Sequence, residues 1–399
     1  MDTHIIEVPE QSNPLAVDQT ISLKAYLNDH ESCEALRAAA KALEFTTTVH
    51  TGTVNTAIKA LDGARSPNVL VVDLSGIDFE LAAMEALANV CEPNVRVIAI
   101  GERNDIFLYR RLKSIGVAEY LYKPVNQEYF EQALRDVTGR SSQRSKARLG
   151  KLVVAVGASG GLGTTTLAVN LASHLSTVAR RRVALLDLDL FSETTSLLLN
   201  TVPNAALCEA LDNPERVDNK FLERAMLQVS ERLDVLGSDG EKIPVNGLTP
   251  DGVRIVMEHL QSLYHYTVVD IPTSVASANP ALLVGADTVF VVCDGALASA
   301  RNAARLIRTL TPSCPTLHTV LNRAGAPGQI SMAEIETVLG RRPDLVVPFL
   351  PKNFANAAIL GTPAISGNRR VKVAIGRLAR EVSGQDAFRS SLLDRILRR

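Results

Sequence analysis

Short apolar runs rich in β-branched residues alternate with longer amphipathic stretches along most of the chain, the pattern of βα units wound around parallel sheets. Between Ile21 and Val137 it predicts strands over Ile21–Leu27, Thr46–His50, Val69–Asp73, Val95–Ile100 and Glu119–Tyr122, with five intervening or trailing helices. One domain is therefore expected over 20–138. The polar, basic run GRSSQRSKARLGK interrupts the pattern, and 139–150 reads as a linker. A second α/β series opens at Lys151 with LVVAV and a glycine-rich turn, then a helix through Leu175. Further strands are predicted at Val183–Asp187, Tyr266–Asp270, Thr288–Cys293 and Thr316–Asn322, and helices at Leu207–Val229 and Thr249–Leu263. The fold class is α/β, two doubly wound parallel-sheet domains, the second over 151–385 and followed by a basic amphipathic helix over 386–399.

Composition narrows the function. The 399 residues carry 42 basic and 43 acidic side chains, so no global charge draws the chain to nucleic acid. Cys33, Cys91, Cys208, Cys293 and Cys314 are scattered singly, without zinc spacing, and read as small buried hydrophobes in a reducing compartment. The start MDTHIIEVPEQSNP lacks a secretory pattern, and no apolar segment approaches the roughly 20 residues of a membrane span. A cytoplasmic protein is expected.

The candidate chemistry begins at KLVVAVGASGGLGTTTLAVNLASHLS, where strand, glycine-rich turn and helix follow in the order that lets backbone amides and a helix N-terminus cradle phosphate. Ser159–Thr166 resembles the deviant Walker A motif of the MinD/ParA family, Lys-Gly-Gly-x-Gly-Lys-Thr-Thr/Ser. Gly160, Gly161, Gly163, Thr165 and Thr166 agree with it, whereas Ser159 stands at the signature lysine and Thr164 at the P-loop lysine. Both charges are gone: by this resemblance the P-loop lysine would neutralise the β and γ phosphates and the signature lysine would reach across a dimer towards the partner's nucleotide, so hydrolysis is expected to be slow or absent even if ATP and Mg2+ bind. Arg180–Arg182 lie about 25 Å away by helical rise and read as a solvated surface.

The same resemblance implies roles further along the chain. In VALLDLDL, Asp187 would sit near magnesium and Asp189 would orient the attacking water. In YTVVDIP, Asp270 would hold a magnesium-bound water, and Thr165 would be a direct ligand. Asn322 and Arg323 match an Asn-Arg pair whose asparagine reads adenine, and PFLPKNFANAAILGTP resembles the closing segment beside the base.

The N-terminal series resembles a response-regulator receiver domain, which implies a flavodoxin-like sheet. Asp73 ends the third strand at the phosphoacceptor position, Lys123 before Pro124 matches the strand-five lysine, and Asn28 and Asp29 fall where paired acids bind magnesium. The fourth strand ends IAIG, with Gly101 in place of the switch hydroxyl. A pseudo-receiver used for docking or dimerisation is the expectation.

From Ile365 to Arg399 nine basic residues face three acidic ones, and Phe388, Leu392, Leu393, Ile396 and Leu397 recur at helical spacing. Such a helix can lie on a membrane surface or pack back on the domain. A pseudo-receiver followed by a MinD/ParA-like domain with a degraded P-loop resembles the CpaE/TadZ family of Flp (Tad) pilus assembly proteins. That resemblance implies a homodimeric localisation factor at the cell pole or inner membrane face that recruits pilus secretion machinery. A working positioning ATPase and a regulator controlled by phosphorylation of Asp73 remain the alternatives. DNA segregation is disfavoured by the balanced charge.

Overall fold

Strand Val69–Asp73 is apolar up to its final aspartate and buried along its whole length, which requires cover on both faces of its sheet. The computed structural model describes residues 21–139 and 149–383 apart from Lys242, Asn246 and Pro315. The chain divides into two compact units. The N-terminal sheet contains β1 (Ser22–Leu27), β2 (Thr46–Thr51), β3 (Val69–Asp73), β4 (Arg96–Gly101) and β5 (Glu119–Tyr122). Helices α1 (His30–Ala42), α2 (Val54–Leu61), α3 (Glu80–Val90), α4 (Ile106–Ser114) and α5 (Gln127–Thr138) follow them in turn. All neighbouring strands are parallel, in the order β2-β1-β3-β4-β5. Leu23, Leu27, Val69, Val71, Ile98 and Ile100 pack with Leu36 of α1 and with Phe130 and Leu134 of α5. The strand order reverses between β1 and β3, so their C-terminal ends frame the crevice where doubly wound sheets place ligands.

The C-terminal sheet is built from β6 (Lys151–Gly157), β7 (Val183–Asp187), β8 (Leu227–Ser230), β9 (Leu233–Leu236), β10 (Tyr266–Ile271), β11 (Thr288–Cys293), β12 (Leu317–Ala324) and β13 (Leu345–Pro348). Their order is β13-β12-β11-β6-β10-β7-β9-β8, parallel except for the β8–β9 pair. β6 therefore sits in the middle, between β10 and β11. Helix α6 (Thr164–Thr177) leaves its end, and α7 (Thr194–Leu199), α8 (Ala206–Asp212), α9 (Asn219–Ala225), α10 (Pro250–Leu263) and α11 (Thr273–Ala278) follow. The series closes with α12 (Leu297–Leu310), α13 (Met332–Leu339), α14 (Pro351–Ile359) and α15 (Arg369–Ser383).

One predicted helix is corrected. Leu207–Val229 is α8, a 3-10 turn over Pro214–Arg216, α9 and the short strand β8. Pro214 supplies no amide hydrogen to continue α8, and the Asp218 carboxylate instead starts a new helix by accepting from the Phe221 N–H at 2.7 Å. The start of the basic tail forms α15, whose Val371, Ala374, Ile375, Leu378, Ala379 and Val382 are buried. The predicted helix 386–399 lies outside the described residues, as does 140–148 of the linker.

Candidate nucleotide site and N-terminal acid cluster

The phosphate loop links β6, buried but for Lys151, to α6. Gly161 and Gly163 have φ of 76° and 81°, in the left-handed region that glycine enters without penalty. A Cβ on Gly160 or Gly161 would meet nothing within 4 Å, so this stretch of backbone faces open space. Thr273 closes the base of the loop, its hydroxyl donating to the Gly157 carbonyl at 2.8 Å. Asn322 holds the far side, its Nδ2 donating to the Leu162 carbonyl at 2.7 Å. Sequence reading assigned Asn322 to adenine and gave Thr273 no role. In the structure Asn322 is buried against the loop and braces it.

The acids converge on the same end of the sheet. Asp187 of β7 and Asp270 of β10 are register partners on adjacent strands, each 3% exposed. Burial, and then each carboxylate's acidic neighbours, push both above the ordinary carboxylate range. The Thr165 hydroxyl hydrogen-bonds Asp270 and partly offsets this. Asp189 is half-buried and accepts from the Phe191 N–H at 3.2 Å, while its own N–H donates to Asp187 at 2.9 Å. Thr165, Asp187 and Asp270 thus form a hard-oxygen set that could hold magnesium, and the open amide loop beside it could hold phosphate. The residues fit a magnesium–nucleotide pair in all but positive charge: Ser159 and Thr164 bring none. Arg182, expected on a solvated surface, is instead paired with Asp234 at 3.1 Å and lies over the Tyr264 ring at 4.6 Å.

A family model described as an AAA domain matches residues 150–321. A ParA family ATPase from Chlorobium tepidum TLS superposes with a TM-score of 0.54 at 22% identity, over 58% of this chain and 98% of that one. The C-terminal domain has the MinD/ParA P-loop fold. MinD from Pyrococcus horikoshii OT3, solved in complex with Mg-ADP, matches this P-loop domain with a TM-score of 0.50 at 22% identity, covering 59% of this chain and 97% of that one. The septum site-determining protein MinD of Bacillus subtilis is 22% identical over 165 residues, 41% of this chain, and the match spans only 60% of that relative's length. The pilus assembly protein CpaE from Caulobacter crescentus CB15 matches 29% of this chain and 96% of that one, at 30% identity and a TM-score of 0.27.

In the N-terminal domain the structure brings the predicted Asp29, Asp73 and Lys123 together. Asp73 is fully buried. Its Oδ2 accepts from Lys123 Nζ at 2.6 Å and from the Asn28 N–H at 3.0 Å, and its Oδ1 accepts from the Ser75 N–H at 2.8 Å. Lys123 Nζ lies 2.6 Å from Asp29 as well. Burial opposes the lysine's charge, but the two carboxylates outweigh it and raise its pKa. Asp29 feels burial too, and its bonds to Lys123 and the Ser32 N–H hold it below the usual carboxylate range. The ammonium thus stands between the carboxylates. At Gly101 a Cβ would lie 2.7 Å from Tyr120 Oη, which donates to the Arg103 carbonyl at 2.8 Å. Tyr120 occupies the space beside Gly101, a role that sequence reading missed because nothing marks one aromatic of EYLY as inward.

Proposed function

We propose that this chain is a pilus assembly and localisation factor of the CpaE/TadZ type, a MinD/ParA-like scaffold that binds ATP and magnesium but turns the nucleotide over slowly or not at all. The observation that carries this reading is the pairing of two altered sites in one chain. The phosphate loop keeps its amide cradle, its hydroxyl and its buried acids without either lysine. The receiver-type domain keeps Asp73 but ties both of its oxygens to the protein, with no switch hydroxyl at Gly101. Binding without rapid transfer suits a platform: loop amides and magnesium contribute to affinity, while the charge that stabilises the transferring phosphoryl group is absent. Asp189 could orient water, but without that charge the step stays slow.

On this reading the chain works as a homodimer in the cytoplasm, at the inner membrane face or cell pole, and recruits pilus secretion proteins. The alternatives are an active positioning ATPase and a regulator phosphorylated on Asp73. A deletion strain of the source bacterium tests the proposal: loss of surface pili, restored by the wild-type chain and by a variant carrying Asp189→Ala, is the expected result. Unchanged piliation in the deletion strain would sink it. Failure of Asp189→Ala to complement, together with rapid phosphate release by the purified wild type, would favour the active ATPase. Labelling of Asp73 by acetyl phosphate would favour the regulator.

A further inference from the structure

The unresolved physical question at the phosphate loop is charge. A polyphosphate held by amides next to two buried carboxylates needs a cation besides magnesium, and residues 159 and 164 provide none. The surroundings of the loop glycines show where one stands. Gly160 and Gly161 face open space, and Gly157 meets the Thr164 hydroxyl and the Ser159 carbonyl. A Cβ on Gly163, the last loop residue before α6, would instead lie 2.8 Å from Asn322 Nδ2 and 3.9 Å from Nη2 of Arg323.

The backbone puts that guanidinium there. In a regular strand, residues 322 and 323 would point to opposite faces of the sheet. The pairing of β12 with β13 shifts register between Leu321 and Ala324, and Arg323 takes φ 56°, an unusual value for a long side chain. Arg323 N–H donates to Asn322 Oδ1 at 2.9 Å, and Gln329 pins the turn by donating to the Arg323 carbonyl at 2.7 Å while accepting from the Gly325 N–H at 2.9 Å. One irregular turn thus delivers an asparagine that braces the loop and an arginine that reaches its rim. The Arg323 side chain is exposed, and among the described residues no carboxylate pairs with it. Arg182, by contrast, is already committed to Asp234.

We propose that Arg323 supplies, from the end of β12, the positive charge that the phosphate loop lacks at position 164, with the phosphate chain of a nucleoside triphosphate as its ligand. The proposal rests on the reading of this loop as a nucleotide site. It also accounts for binding without turnover. A guanidinium at the rim, beside Gly163, meets the phosphate chain alike before and during transfer, which adds affinity without lowering the barrier.

The test is calorimetric titration of MgATP into the full chain and its Arg323→Gln, Arg323→Lys and Thr164→Lys variants and the Arg323→Gln/Thr164→Lys double variant. Unfolding midpoints without nucleotide are measured alongside. The expected result is at least tenfold weaker binding in Arg323→Gln, an intermediate value in Arg323→Lys, and recovery in the double variant, with nucleotide-free midpoints unchanged. Recovery by a lysine on another element is what a merely structural role for Arg323 would not produce. Wild-type affinity in Arg323→Gln overturns the proposal, as does a loss that Thr164→Lys does not repair. Binding by Thr164→Lys but not by the wild type overturns the substitution of charge while leaving the loop competent. Binding by neither removes the nucleotide reading itself.

Discussion

Asp270 concentrates the conflict between stability and function at the level of single residues. It is 3% exposed and shares its register with Asp187, and burial followed by Asp187 is what raises its pKa. A carboxyl raised in the fold holds its proton after the unfolded chain has lost it. Its contribution to stability is therefore complete below the ordinary value of about 4 and declines as pH rises through the raised one. Asp270→Asn should remove that decline and make the nucleotide-free protein more stable at pH 8 by on the order of 1 to 3 kcal/mol, with little change at pH 4. Urea midpoints at the two pH values check this, and a less stable variant at pH 8 would mean that hydrogen bonds compensate the charge. The acids, the glycines and the missing lysines were legible in the sequence because each is a residue type at a fixed spacing. The bracing role of Asn322 and the reach of Arg323 were not, since both depend on a register shift and a left-handed residue that no spacing reveals.

Elements were legible where one periodicity rules a whole segment. Val69–Asp73, Val183–Asp187 and Thr288–Cys293 fall where expected because each is a run of buried strand residues. Leu207–Val229 failed because average helical character hid a proline and a capping aspartate. The short β8–β9 pair, which begins at the end of that segment, carries too few residues for alternation to show. Between elements, Asn170 of α6 was invisible: its Nδ2 donates to the Thr166 carbonyl at 2.8 Å and its Oδ1 accepts from the Ile365 N–H at 3.0 Å, fixing the segment before α15 to the loop helix. The β4–β5 edge of the N-terminal sheet gives a prediction of the same kind. Gly101→Thr would push a side chain onto Tyr120, 2.7 Å from where the Cβ stands, and expel the phenol from the Arg103 carbonyl. The expected loss is about 2 kcal/mol from overpacking and the broken bond, against about 1 kcal/mol for Tyr120→Phe, which breaks the bond alone. Denaturant midpoints of the two variants decide it. Equal losses would show that Tyr120 moves aside freely and that Gly101 does not hold it in place.

At the scale of the whole molecule, charge decides which partners are reachable. The net formal charge is −1, yet α15 places Arg369, Arg370, Lys372, Arg377 and Arg380 on its exposed side while its apolar side packs against α6 and β13. A stripe of that kind can attract any polyanion at low salt, so weak binding to DNA in dilute buffer would say nothing about function. The discriminating quantity is the salt slope. A duplex-binding protein that neutralises Z phosphates loses affinity with a slope of about −0.9Z in log salt, and contacts to six or more phosphates cost roughly a thousandfold or more between 50 and 200 mM. A single short helix with its arginines spread between Arg369 and Arg380, about three turns, can meet only a few phosphates of one groove. Fluorescence anisotropy of a labelled 30-base-pair duplex should therefore show a shallow slope, about −3 or less steep, and no binding near 200 mM salt. A slope steeper than about −5 that persists to sub-micromolar affinity would reinstate a DNA-segregation role, because it would require a cationic surface much larger than α15. The same stripe leaves contact with an anionic membrane open to a parallel measurement on vesicles with and without phosphatidylglycerol, where each basic residue near the surface contributes about 1 kcal/mol.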